Sequence, residues 1–223
     1  MKISILNQSC MAPELTPSVL GRIVDALDRQ CMEHFAPAWE ILPPELTTQD
    51  DTSAFPIVIF DSADQAGVLG YHSVDPLGRA YGRVFLAPIL GGGGTLFESP
   101  NALSVTLSHE VLELIADPYV SFWSDSTAGK EVALEVCDPV EADAYDIDGV
   151  SVSNFITPRW FRAGPGPYDY MGMLGAPLGL TSGGYVIERD ANGEVNFVWG
   201  EHYPEHKKAA KTHAAARSNR RKP

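Results

Sequence analysis

Between Pro100 and Pro118 the chain carries Leu103, Leu107, Val111, Leu112, Leu114 and Ile115, a spacing that makes a helix apolar over most of its circumference. Such a helix has no solvent face, so the rest of the fold must wrap it and any polar group on it needs a partner. Ser99-Pro100 supplies a capping hydroxyl and a proline for the first turn, and Asp117-Pro118 supplies a stop, because the residue before proline avoids the α region. The spacing predicts a helix of about seventeen residues, about 25 Å long.

On this helix stand His109, Glu110 and Glu113. Residues four apart share a face, so His109 and Glu113 can offer an imidazole nitrogen and a carboxylate oxygen to one ion. Glu110, one residue on, can reach a water on that ion. This is the layout of a His-Glu-x-x-His zinc helix with the second His replaced by a carboxylate, which zinc also accepts as a ligand. The bland account is a set of surface salt bridges, and it fits poorly with a buried helix, where charges are costly unless paired or metal-bound.

A catalytic zinc site needs a third protein ligand. The candidates lie in Glu131-Val132-Ala133-Leu134-Glu135-Val136-Cys137-Asp138-Pro139-Val140-Glu141. If Val132, Leu134 and Val136 face the core, period two turns Asp138 to the same side, where Pro139 ends the strand. Asp138 is therefore the first choice, with Glu135 and Glu141 behind it. Cys10, Cys31 and Cys137 are odd in number and dispersed, which predicts no disulfide framework, a reducing compartment and no all-cysteine metal site.

Around the motif helix the pattern predicts an α+β fold. Lys2 to Leu6 alternates as a strand, and Pro17 to Phe35 repeats as a helix. Ala38 to Leu42, Phe55 to Phe60, Val68 to Ser73 and Gly82 to Ala87 are β-rich runs between Pro, Asp and Gly clusters. Glu131 to Val136 reads as a further short strand. Residues 163–184 are too rich in Gly and Pro for regular structure, and Tyr185 to Arg189 with Glu194 to Trp199 reads as a hairpin around Asp190 to Gly193. The organisation expected is one domain over residues 1–200, with an irregular C-terminal part, and a basic tail over residues 201–223.

That tail holds seven of the sixteen Lys and Arg but two of the twenty-nine Asp and Glu, about +5 against about −18 for the remainder. Its Ala-Lys-Ala-Ala-Arg composition predicts a disordered end. An acidic body is a poor nucleic-acid binder, so nucleic acid is expected, if at all, only through the tail. No run reaches the ~18 apolar residues of a membrane span, and Met1 to Asn7 has no apolar stretch of signal-peptide length, so a cytoplasmic protein without a membrane partner is expected.

Several other features are weaker. Gly91 to Gly94 lacks the Gly-Lys-Ser/Thr of a phosphate loop and reads as a mobile connection. His72, on the possible edge strand Val68 to Ser73, can face a cleft and help hold substrate or an oxyanion, but an exposed or core-edge position is favoured. Tyr145, Tyr168 and Tyr170 are candidate phenol donors among which nothing selects. Asp143, Asp146 and Asp148 lack EF-hand spacing and read as a plain turn.

The order strand, helix, four strands, motif helix resembles the catalytic core of the zincin metallopeptidases. Locally, Ser108-His109-Glu110-Val111-Leu112-Glu113 followed by Asp117-Pro118, Trp123 and an acidic strand is similar to the Ser/Thr-His-Glu-x-x-Glu stretch of the phosphate-induced (exordium-like) proteins, and small bacterial and phage-encoded proteins look alike. The zincin resemblance implies a mixed twisted sheet backed by the motif helix, with an antiparallel edge strand that binds peptide. Glu113 departs from it, standing where zincins have His, and Tyr119 stands where metzincins have a third His or Asp. Met171 or Met173 falls where a Met-turn would be imitated, although filling an irregular core is the commoner use of such a residue.

The expectation is a zinc-dependent hydrolase, a peptidase acting on peptide or protein. In it His109, Glu113 and Asp138 hold Zn²⁺, and Glu110 takes the proton from the attacking water. The alternative is a non-enzymatic module of a virion or cell-surface assembly that keeps a metal or a polar network for stability.

Overall fold

The computed structural model describes residues 1–126 and 129–215. It is a mixed α+β structure with three sheets. The largest sheet has the order β2-β1-β3-β5-β4, built from β1 (Lys2–Asn7), β2 (Glu45–Thr47), β3 (Phe55–Phe60), β4 (Gly70–Val74) and β5 (Ala80–Phe85). The first four strands in that order run parallel, and only the edge strand β4 is antiparallel to its neighbour.

The register sets up one buried row across this sheet. Ile5 pairs with Ile57, Ile57 with Gly82 and Gly82 with His72, so all four share a face. Ile5, Ile57 and His72 are fully buried there. The period-two pattern that hides Ile57 and Ile59 thus also carries an imidazole into the interior.

Helix α1 (Pro17–Arg29) starts as its pattern predicts, with the Thr16 hydroxyl accepting from the Val19 N–H. It does not stop near Phe35. The chain widens into a π-helical segment, Gln30–Phe35, and tightens again as α2 (Ala36–Trp39), ended by Glu40 in the left-handed region. The strand expected over Ala38 to Leu42 is therefore helix and turn, with Leu42 90 % exposed. Trp39 and Ile41 imitate strand alternation, but Pro37 sits in the first turn of α2, and Pro43-Pro44 moves the strand on to Glu45. The π segment turns the buried Gln30 side chain inward, where it joins the motif helix.

After the short α3 (Leu86–Gly91) comes the motif helix α4 (Leu103–Ala116). It begins three residues later than Ser99-Pro100 predicts and has no side-chain cap. None is needed, because the N–H groups of Leu103 and Ser104 donate to the carbonyls of Thr95 and Leu96. Its stop at Asp117 is as expected. Leu103, Leu107, Val111, Leu112 and Leu114 are all fully buried, wrapped by α1, the sheet and the segment that follows.

The C-terminal part is more regular than its composition predicts. Strands β6 (Trp123–Asp125), β7 (Glu131–Ala133), β10 (Tyr185–Arg189) and β11 (Val195–Trp199) make an antiparallel sheet of order β11-β10-β7-β6, and β8 (Ala144–Ile147) with β9 (Val150–Ser153) makes a hairpin. Asp148 and Gly149, both at positive φ, form the hairpin turn; of the three aspartates read as a plain turn only Asp148 lies in it, while Asp146 belongs to β8 and accepts from the Gly149 N–H, and Asp143 precedes that strand. Residues 163–184 hold turns and bends and, at Asp169, an isolated antiparallel bridge to Ile156. Where composition predicts disorder, Glu205–Ala215 forms helix α5; residues 216–223 of the expected tail lie outside the described residues. Among the described residues no helix is long and apolar enough to cross a membrane.

Candidate metal centre

Six side chains meet on one side of α4. From the helix come His109, Glu110 and Glu113, from the edge strand His72, and from the segment after β7 Glu135 and Asp138. On an ideal helix Glu113 lies about 40° round from His109 and Glu110 about 100° round, which puts Glu113 between the other two. Its two oxygens diverge accordingly. Oε1 lies 3.2 Å from His109 Nε2, and Oε2 lies 3.6 Å from His72 Nδ1.

Asp138 Oδ1 completes the first flank, 3.4 Å from His109 Nε2. The sequence selects this residue, but by a route the structure corrects. Strand β7 ends at Ala133, and Asp138 opens a 3₁₀ turn through Val140 instead of continuing a period-two strand. Two backbone contacts hold it. The Cys137 N–H donates to Glu113 Oε1 at 3.3 Å, and the Thr181 N–H donates to the Pro139 carbonyl at 3.0 Å. Gly184 allows the chain before β10 to run this close, since a β-carbon there would come within 2.0 Å of the Pro139 oxygen. Tyr185 follows, and its buried hydroxyl donates to Asp138.

The second flank belongs to the edge strand. His72 Nδ1 lies 3.6 Å from Glu110 Oε2, and its Nε2 lies 3.1 Å from the Asp117 carbonyl. Asp117 is fixed in turn by its carboxylate, which accepts from the N–H groups of Ser121 at 3.0 Å and Phe122 at 2.7 Å. Gly70, two residues along β4 from His72, leaves the room for Glu110. A β-carbon at Gly70 would stand 2.9 Å from Thr106 Cγ2 and 3.0 Å from Glu110 Oε1. Glu135 Oε2 lies 3.8 Å from His72 Nε2. Glu141, a sequence candidate, points away and pairs with Lys211 at 2.7 Å.

A buried hydrogen-bond chain fixes the helix beneath the site. Ser108 Oγ donates to Gln30 Oε1 at 2.6 Å and accepts from the Ser153 N–H at 3.0 Å, while Gln30 Nε2 donates to the Ser153 carbonyl at 2.8 Å. The π segment after α1 thus supplies the polar group that locks the residue beside His109.

The cluster is nearly closed to solvent: Glu110 is 5 % exposed, Glu113 2 %, Asp138 3 % and His72 0 %. Burial alone lowers the His109 pKa, but Glu113, Cys137 and Asp138 outweigh it and hold the imidazole well above 6.5. Burial and the Asp138 charge push Glu113 up to about 7, against the pull of His109. Burial opposes ionised Asp138 too, yet the His109 hydrogen bond, the Lys211 charge and the Tyr185 hydroxyl hold it down at about 2. Burial pushes the Cys137 thiol well above its ordinary value, so it stays protonated.

These donors fit a metal ion. Ligands at about 2.0–2.2 Å from a tetrahedral ion stand about 3.3–3.6 Å from one another, and the His109–Glu113 and His109–Asp138 separations are 3.2 and 3.4 Å. Among the described residues three overlapping triads have ligand atoms within 4.8 Å of one another: His109–Glu113–Cys137, His72–Glu110–Glu113 and Glu113–Glu135–Asp138. From the sequence His72 reads as an exposed or core-edge residue and Cys137 has no ligand role, yet both fall in these triads. The available signal for Cys137 was three ligand types within Glu135 to Asp138; for His72 it was alternation on an edge strand, which looks the same for a core residue. No family model, curated protein or solved structure matches this chain.

Proposed function

We propose that the protein is a zinc-dependent hydrolase, a peptidase in which His109, Glu113 and Asp138 hold the ion and Glu110 is the general base. The observation that carries this reading is the meeting of three residues from two separate segments, with His109 Nε2 3.2 Å from Glu113 and 3.4 Å from Asp138. A zincin-like reading of the fold is supported by the mixed sheet, its single antiparallel edge strand and the position of α4 against that strand. Bound zinc supplies Lewis acidity that makes a water more acidic and polarises a carbonyl.

The chain's own residues supply the rest. Asp138 and Glu113 orient the ion, and the Tyr185 hydroxyl fixes Asp138. Glu110, beside the open edge of β4, takes the proton, and β4 is the strand against which a peptide would lie. One imidazole and two carboxylates place more negative charge on the ion than two imidazoles and one carboxylate would, so water there is less acidified than in the His-Glu-x-x-His pattern.

The closeness of the site favours a second reading, in which the ion is structural and the module binds rather than cleaves. Metal analysis and one variant separate these. The full chain should carry at least one zinc, lost in His109→Ala; less than about 0.2 zinc per chain would sink the metal claim. Glu110→Gln should keep the zinc held by His109 and cut hydrolysis of a peptide library by at least about 10²-fold. A wild-type chain that holds zinc and cleaves no peptide favours the structural reading.

A further inference from the structure

We infer that the cluster holds two divalent cations, not one, with Glu113 as the shared ligand and a second site formed by His72, Glu110 and Glu113; the first ion is the one proposed above for the His109 flank. The geometry starts from helix phase. Glu113 lies angularly between His109 and Glu110, and each of its oxygens faces a different imidazole, Oε1 toward His109 at 3.2 Å and Oε2 toward His72 at 3.6 Å. A carboxylate placed this way bridges two ions about 3.5–4 Å apart, the spacing of two-metal hydrolytic centres.

His72 is oriented as a ligand. A carbonyl can only accept, so the Asp117 contact at 3.1 Å puts a proton on Nε2 and points Nδ1 toward Glu110 and Glu113. Metal-ligating histidines have this arrangement, the far N–H on a backbone carbonyl and the near nitrogen on the ion. Both Nδ1 to carboxylate separations are 3.6 Å, beyond a direct hydrogen bond and equal to an edge of a zinc tetrahedron of about 3.3–3.6 Å.

Glu110 supplies the independent sign. Its Oε2 is buried and has no hydrogen-bond partner among the described residues. A buried carboxylate oxygen left in that state is costly, and a cation between it and Nδ1 removes the cost. Oε1, lying over Gly70, stays available for a proton.

Charge balance points the same way. Glu110, Glu113, Glu135 and Asp138 bring four carboxylates into the buried cluster, and ligating imidazoles are neutral. With all four deprotonated, as ligation requires, one dication leaves two negative charges in a site closed to water and two dications neutralise it. The nitrogen and oxygen donor set suits zinc or another borderline divalent ion.

The test uses the full chain, stripped by chelator and titrated with zinc alone, with content read by mass spectrometry and affinity by calorimetry. Two equivalents are expected for wild type and one for His72→Gln and for Glu110→Gln. One equivalent in wild type, unchanged by His72→Gln, overturns the second site and leaves the His109 site standing; no zinc at all overturns both. Because a buried variant can misfold, wild type loaded with Mn²⁺ gives a separate readout. The second equivalent should attenuate the paramagnetic resonance signal of the first through Glu113, and two additive, uncoupled signals would overturn the bridge.

Discussion

Residues 1–116 and residues 117–215 are held together in different ways. The first part buries Ile3, Ile5, Leu20, Ile23, Ile57, Ile59, Val84 and the leucines of α4, and apolar area is its main source of stability. The second has short strands and long irregular connections, and side-chain hydrogen bonds fix its path. Asp169 is fully buried and accepts from Asn154 Nδ2 at 2.8 Å and from the N–H groups of Leu174 at 2.8 Å and Met173 at 3.1 Å. Trp160 is fully buried and donates its indole N–H to the Gly179 carbonyl at 2.8 Å. Both kinds of scaffold contribute to the buried cluster: the regular one sets four of its six residues, His72, His109, Glu110 and Glu113, and the polar one sets Glu135 and Asp138.

The largest expected effect tests that contrast directly. Asp169→Ala leaves two buried donors and one partly buried donor unsatisfied and should cost about 3–5 kcal/mol of unfolding free energy in urea. Ile57→Val, at an equally buried position of the sheet, should cost about 1 kcal/mol. Equal costs, or less than about 1 kcal/mol for Asp169→Ala, would break the contrast between the two parts.

The next test reads the polar side alone, through pH. His109 is raised in the folded chain, so its contribution is complete below 6.5 and is lost as pH rises through the folded value. Glu113 is raised from 4.5 to about 7, so folding favours its neutral form and stability falls as pH rises across that window. Asp138 is lowered from 3.8 to about 2, and its contribution is lost only as pH falls through that lower range. The metal-free chain should therefore have a lower urea midpoint at about pH 8 than at about pH 5. Saturating zinc should oppose the decline, because zinc binds the deprotonated ligands. A metal-free chain more stable at the higher pH would break this account, while Ile57→Val should shift both midpoints alike.

The same contrast explains what the sequence made legible. Helix α4 was readable because six apolar residues and a Pro-bounded stop leave no other periodicity, and His109 and Glu113 follow from its phase. Asp138 is singled out by its residue type and its place before Pro139, and it does lie beside His109, although the strand invoked to carry it ends five residues earlier. His72 was not selected, because its orientation depends on the pairing with Gly82 and on the Asp117 carbonyl, neither of which leaves a local pattern. The strand expected at Ala38 to Leu42 failed because the π segment at Gln30–Phe35 is stabilised by contacts more than a hundred residues away, through Gln30 to Tyr145 and Ser153.

The smallest expected effect concerns α5, whose composition reads as disorder. Lys211 anchors it. Its Nζ lies 2.7 Å from Glu141 and 4.8 Å over the Tyr185 ring, on the residue whose hydroxyl donates to Asp138. A partly buried ion pair with a cation–π contact contributes about 1 kcal/mol, so Lys211→Met should lower the melting temperature by about 2–4 °C. It should also weaken zinc binding most at acid pH, because the Lys211 charge is one of the forces that keep Asp138 ionised. A truncation after residue 204 should reproduce both changes. If Lys211→Met alters neither, α5 contributes nothing to the cluster, and the polar scaffold of the site ends at Tyr185.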